Sequence, residues 1–182
     1  EDEGQQRELG AIRGQVARLT HTVRQLLDYS RPSAAEPRAT SLRQVLDSAV
    51  AAITPELEVA GRQLELEADS TQTLPTVKGD PGRLELALLN LLRNALHYTE
   101  RGSVRLILER GAFRIEDSGA GIPPEQHERI FQPFVRGAQA RGEGLGLGLS
   151  LVKRICAKQG WSVSLQSEPG DTRFRVALSS EA

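Results

Sequence analysis

The sequence predicts an α/β chain of the α+β kind. A two-layer sandwich, with a mixed, mainly antiparallel sheet packed on helices, follows a coiled-coil-like N-terminal helix. Three observations carry that expectation. Apolar residues recur at heptad spacing from Leu9 to Leu26, and a strong helical stripe runs from Leu84 to Ala95. Short alternating segments then flank the helices in mixed order, without strict strand–helix alternation.

Taken in order, Leu9, Ile12, Val16, Leu19, Val23 and Leu26 are spaced 3, 4, 3, 4 and 3 apart, the a/d seam of one helix. Arg13, Arg18 and Arg24 lie off the seam. So narrow a stripe calls for a partner helix, from a second copy or from sequence not present here; packing on the globular domain is the other solution. Arg31-Pro32 ends the helix, so 1–31 forms one unit, 32–39 a linker and 40–182 the globular domain. Thr40 or Ser41 is expected to cap a helix reaching residue 60, with Pro55 breaking or restarting it. Residues 63–68 alternate like a strand, and 76–78 add a short one. Pro81 opens a helix through Tyr98, and 104–109 with 113–116 form a hairpin around Arg110-Gly111. A short helix is expected over 124–131, an irregular loop over 132–143, and a long helix over 149–158. A closing hairpin takes 162–166 and 173–178.

Composition narrows the function. The 182 residues carry 23 basic and 24 acidic side chains, a formal net charge of −1. Nothing in that balance argues for a nucleic-acid partner. The single Cys156 excludes an intramolecular disulfide and fits a reducing, cytoplasmic compartment. No apolar run approaches the roughly 20 residues that span a bilayer, so a membrane is expected only through upstream segments. The abrupt charged start is that of a piece of a longer protein.

Four segments carry chemistry. Gly142, Gly144, Gly146 and Gly148 alternate directly ahead of a helix. Glycine admits a phosphate where a Cβ would block it, and the helix start supplies unpaired N–H groups. The same run also suits a plain hinge. Asn90 and Asn94 lie one turn apart on one helix face, where asparagine is intrinsically poor. They suit either an oxygen site for magnesium beside phosphates or polar caps of the sandwich. His97 and Tyr98 follow one turn later, the first in reach of a phosphate and the second of a base. Asp117 ends a strand ahead of Ser118-Gly119-Ala120-Gly121-Ile122-Pro123. A carboxylate there accepts from an exocyclic amine such as adenine's, or closes a structural Asx turn. Phe131, Phe134 and Arg136 cluster ahead of the glycine run, as a movable cover or as its anchor.

These segments resemble, in the same order, the asparagine, first glycine, phenylalanine and second glycine boxes of sensor histidine kinases. They read Asn90-Leu91-Leu92-Arg93-Asn94-Ala95, Asp117 to Gly121, Glu128 to Phe134, and Gly144 to Gly148. The resemblance covers residues 40–179, and Gly170-Asp171-Thr172 looks like the glycine-threonine element before the last strand. The helix ending Leu26-Leu27-Asp28-Tyr29-Ser30-Arg31 is similar to the second helix of the family's dimerisation and phosphoacceptor hairpin. The resemblance implies ATP and Mg2+. Asn94 would ligate the metal with Asn90 assisting, Asp117 would read the adenine amine, and Tyr98 would flank the base. Gly119, Gly121 and Ile122 would shape the pocket, and Thr172 would help line it. Phe134, Arg136, Gly144, Leu145, Gly146, Leu147 and Gly148 would form the lid over the phosphates. His97 stands where the family often has lysine. The implied activity is transfer of the γ-phosphoryl to a histidine and onward to a response-regulator aspartate, in a homodimer through the N-terminal helix.

No histidine in the chain suits the acceptor role. His21 falls off the heptad seam and precedes Thr22, and His127 lies in the short segment before the lid. Self-phosphorylation is therefore not expected of this chain. Two other readings remain: an ATP hydrolase of the same superfamily, and a kinase-like scaffold acting through its N-terminal helix. Related hydrolases place a glutamate four residues before the magnesium asparagine, to take a proton from water. Asn90 stands there, and an amide takes no proton.

Overall fold

The computed structural model describes residues 38–59, 61, 64–68, 76–109, 111–135 and 145–178. It also describes eight helical positions ahead of them: Leu9, Ile12, Val16, Thr20, Val23, Leu26, Leu27 and Ser30. Leu9, Ile12, Val16, Val23 and Leu26 are all 43–57% exposed, so the seam meets no partner among the described residues. Leu19 and His21 lie outside them.

The chain enters the globular part as a strand, β1 (Arg38–Ser41), antiparallel to β3 (Thr76–Gly79). Arg38 and Ala39, expected in the linker, open that strand. The Thr40 hydroxyl is buried and donates to the Gly79 carbonyl at 2.8 Å. The first helix, α1 (Leu42–Val59), buries Leu42, Val45, Leu46, Ala49, Ile53 and Leu57 along one face. Pro55 lies inside it and does not break it, contrary to expectation. Buried Ile53 and Leu57 on either side hold the backbone helical against a proline cost of about 3 kcal/mol.

Helix α2 (Pro81–Tyr98) is the central element. Asp80 caps its start, its Oδ1 accepting from the amides of Gly82 at 2.9 Å and Arg83 at 3.3 Å. Leu84, Ala87, Leu88, Leu91, Leu92 and Ala95 form the buried stripe. The sheet behind has the order β2-β4-β5-β7-β6: β2 (Leu64–Ala68), β4 (Val104–Glu109), β5 (Ala112–Asp117), β7 (Asp171–Ala177) and β6 (Ser162–Glu168). Only β2 and β4 run parallel, because α2 lies in the connection between them. Val104, Leu106, Phe113, Ile115, Phe174 and Val176 point to the helices, and alternate positions face solvent. On that outer face Arg105 bridges Glu65, Glu67 and Glu116, while Arg114 reaches Glu116 at 2.8 Å and Arg175 reaches Glu109 at 2.7 Å. The charges alternate across neighbouring strands and pair with one another, although buried Arg114 Nε makes no hydrogen bond among the described residues.

Two further differences from expectation are local. The segment 124–131 is a pair of 3-10 turns, Pro124–Gln126 and Arg129–Phe131, instead of one helix. The segment is too short to pay for a helical nucleus. The pairing of β1 with β3 forms a separate two-stranded sheet, which residue alternation alone does not reveal.

Helix α3 (Gly148–Gln159) ends on left-handed Gly160, and Trp161 then folds back onto β3. The Trp161 indole N–H donates to Lys78 O at 3.2 Å, and Gln159 Oε1 accepts from the Asp80 amide at 3.0 Å. Trp161 packs directly on Gly79, where an added Cβ would overlap the ring. Gly79→Ala should therefore destabilise the fold by about 1–3 kcal/mol. Urea unfolding followed through Trp161 fluorescence measures this, and an unchanged midpoint would refute the close packing.

Candidate nucleotide-binding site

The site is built around helix α2. Asn90 and Asn94 stand half-buried beside its apolar stripe. Asn90 Nδ2 donates to Leu86 O at 2.8 Å, which fixes the amide and leaves Oδ1 to face Gly148, whose added Cβ would lie 3.1 Å away. The Asn94 amide has no hydrogen-bond partner among the described residues. Oxygen donors of this kind fit a magnesium ion that keeps most of its waters. No cluster of three or more His, Cys, Asp or Glu occurs among the described residues, so any metal there depends on amides and phosphate. His97 and Tyr98 close the helix with rings 5.0 Å apart and edge-on, His97 exposed and Tyr98 half-buried.

The next residue, Thr99, ends the helix and is fully buried. Its hydroxyl donates to Asp117 Oδ1 at 3.2 Å, and the Gly119 amide donates to the same oxygen at 3.0 Å. Asp117 sits at the end of β5, buried to 5% exposure, and no described residue donates to its Oδ2. Burial pushes the Asp117 carboxyl above the usual carboxylate range, against the two hydrogen bonds that pull it down. Asp171 also pushes it up.

The loop after Asp117 is held by backbone. Gly119 O accepts from Gly170 N at 2.8 Å, and the Ile122 amide donates to Ser167 Oγ at 2.9 Å. Ser167 Oγ in turn lies 2.8 Å from Oγ1 of Thr172, which is buried and directly opposite Asp117 in the β5–β7 register. Gly121 has φ +80, and a Cβ on it would come within 2.7 Å of Glu168 O. Neither glycine can carry a side chain in this arrangement.

The glycine turn meets α2 at Asn90, nine residues before Thr99. Gly146 takes φ +67 and packs its α-carbon on the Val135 carbonyl. Phe134, itself at φ 64, donates its amide to Gly146 O at 3.1 Å. Arg136 and Gly144 lie outside the described residues, as do Gly142 and Glu143. Leu145 is half-buried, whereas Leu147 points into the core at 1% exposure, leaving only its backbone to a ligand. Phe131 packs edge-on against Phe174 at 6.2 Å, with Lys153 over its other side, so it anchors the segment. Phe134 is 67% exposed and does not. His127 is structural, its Nε2 2.8 Å from Ile122 O.

The structure thus brings Asn90 to Gly148, and Thr99 to Asp117, Gly119 and Tyr98, along a single helix. Thr99 and Ser167 are contributors that sequence reading did not single out. Thr99 follows the helix end, but nothing in its spacing announces Asp117, eighteen residues away.

Residues 79–182 match the family model described as histidine kinase-, DNA gyrase B-, and HSP90-like ATPase. The chain belongs to that family, and this region is an ATP-binding domain of its type. Among its relatives, the adaptive-response sensory kinase SasA of Synechococcus sp. (strain JA-3-3Ab) is 36% identical over 152 residues, covering 79% of this chain and 40% of the relative. The sensor-like histidine kinase SenX3 of Mycobacterium tuberculosis (strain CDC 1551 / Oshkosh) is 36% identical over 172 residues, covering 88% of this chain and 42% of the relative. The chain therefore spans about two fifths of these relatives. In the crystal structure of full-length ShkA in complex with AMPPNP, the match has a TM-score of 0.76 at 29% identity, over 98% of this chain and 40% of that one.

Because the folded-state pKa of Asp117 is raised, its contribution to stability is present at low pH and lost as pH rises through that value. Asp117→Asn removes the ionisation while keeping an oxygen acceptor. The variant should gain stability relative to the unmodified chain as pH is raised from below the ordinary carboxyl value of 3.8 to neutral. Urea unfolding at the two pH values tests this; a difference independent of pH would contradict it.

Proposed function

We propose that this chain is the ATP-binding catalytic part of a sensor histidine kinase, comprising part of a dimerisation helix (1–31), a connector, and the catalytic domain. The observation that carries this reading is Oδ2 of buried Asp117, to which no described residue donates, at one end of α2, with Asn90 against the glycine turn toward the other. Asn90 and Thr99 are nine residues apart, about 13 Å along a helix, which separates a base site from a phosphate site.

In this reading Asp117 Oδ2 accepts a hydrogen bond from the adenine amine. Gly119, Gly121 and Ile122 shape the base pocket, with Tyr98 flanking and Thr172 lining it. Asn94, assisted by Asn90, holds magnesium, which when bound neutralises phosphate charge. His97 lies in reach of a phosphate from the end of α2. The amides of Leu145, Gly146, Leu147 and Gly148, backed by the α3 N-terminus, serve the phosphates, and the lid running from about Phe134 takes in Arg136 and Gly144. The chain's contribution is positioning: it presents the γ-phosphorus to a histidine nitrogen carried by the first helix of the hairpin. A nitrogen–phosphorus bond forms there, the bond to the β-phosphate oxygen breaks, and ADP leaves. The phosphoryl passes onward to an aspartate of a response regulator receiver domain. Homodimerisation through the Leu9–Leu26 seam and a cytoplasmic location complete the proposal. No helix among the described residues is long and apolar enough to cross a membrane.

Isothermal titration with a non-hydrolysable ATP analogue and magnesium tests the site. Micromolar binding is expected, weakened at least about tenfold to a hundredfold by Asp117→Asn, the value of a hydrogen bond to a charged group. Asn94→Ala should remove the magnesium dependence of binding. Absence of binding by the unmodified chain would favour a scaffold instead.

Hydrolysis is a separate question, decided at Asn90. The unmodified chain should show negligible steady ATP turnover, and Asn90→Glu should raise it by supplying a general base. Steady turnover without the substitution would overturn the kinase assignment.

A further inference from the structure

We propose that Thr99 is the positioning residue of this site: its hydroxyl, donated to Asp117 Oδ1, aims the carboxylate, reserves Oδ2 for the base, and thereby sets adenine selectivity. The proposal rests on the nucleotide reading above.

Thr99 has no freedom to do anything else. It is fully buried, its amide donates to Ala95 O at 3.1 Å, and its Oγ1 would lie 3.2 Å from a Cβ on Gly119. The turn that follows is pinned to the end of β5 by two bonds: the Ser103 amide donates to Ser118 Oγ at 3.0 Å, and the Ser118 amide donates to Ser103 O at 3.2 Å. Gly102, at φ +121, lies directly against Ser118, so the turn cannot shift away from the strand. Helix end and strand end are thus one rigid joint, with the Thr99–Asp117 hydrogen bond at its centre.

Both donors to Asp117, the Thr99 hydroxyl and the Gly119 amide, converge on Oδ1. A proton taken up by the carboxyl would therefore go to Oδ2, where no described residue donates. That matters for the base. An ionised Oδ2 accepts from the 6-amino group of adenine, whereas a protonated Oδ2 donates and suits the 6-oxo group of hypoxanthine or guanine. Burial and the charge of Asp171 on β7 push Asp117 toward the protonated form. Thr99 and Gly119 oppose this, and Asp171 is the one charged group among the described residues that acts on the carboxyl. Without the hydroxyl the carboxyl rises further, and the oxygen that reads the base changes from acceptor to donor at a higher pH.

The test is titration of the whole chain with non-hydrolysable analogues of ATP and of inosine triphosphate, from weakly acidic to weakly alkaline pH. Thr99→Ser should bind like the unmodified chain. Thr99→Val should bind the adenine nucleotide about tenfold more weakly at neutral pH. It should also move the acidic midpoint of binding upward and narrow the preference for adenine over hypoxanthine. Thr99→Ala carries the same expectation and serves if the valine variant fails to fold. Unmodified affinity and an unmoved midpoint in the valine or alanine chain overturn the role of Thr99 while leaving the nucleotide site standing. Equal losses in Thr99→Ser and Thr99→Val assign the effect to packing and overturn the hydroxyl's role. No binding of either nucleotide by the unmodified chain overturns the nucleotide reading itself, and this proposal with it.

Discussion

A carboxylate removed from water must be held by donors, and among the described residues the one at Asp117 is held by two, both on the same oxygen. That imbalance organises the molecule. The Thr99 hydroxyl comes from the end of α2, the Gly119 amide from the loop after β5, and buried Thr172 from the neighbouring strand lies opposite in register. The helix end and the loop donate to Asp117 directly, and β7 closes over it from the side. Their meeting fixes where helix, strand and loop lie relative to one another. No described residue donates to the second oxygen, and in the proposed reading that oxygen meets the base.

Helix α2 carries the other half of that arrangement. Its apolar stripe from Leu84 to Ala95 locks it against the sheet, so the polar residues on its rim are presented on a rigid support. Asn90 turns one end of its amide back to Leu86 and offers the other to Gly148. A side chain there would press on that amide oxygen at 3.1 Å and push it back by a few tenths of an ångström. The same helix thus reaches Asp117 through Thr99 and the glycine turn through Asn90.

The remaining structure supports these contacts from behind. Trp161 and Gln159 tie the end of α3 to Gly79 and Asp80, so the helix that starts at the glycine turn is anchored at the start of α2. The Arg and Glu residues outside the sheet neutralise one another across strands and leave the buried face to define the core.

Much of this was legible in the chain itself. Periodicity determined α2, the hairpin of β4 and β5, and α3, because helical and strand periods are local properties of side-chain placement. The order of Asn90, Asn94, Asp117 and the glycines determined the family. Tertiary structure alone decided that Pro55 stays inside a helix, that Arg38–Ser41 pairs with Thr76–Gly79, and that Thr99 grips Asp117. It also turned Leu147 into the core and left Phe134 outside. Each of these depends on a neighbour tens of residues away or on burial that outweighs a local preference, and neither is written in the spacing of nearby residues.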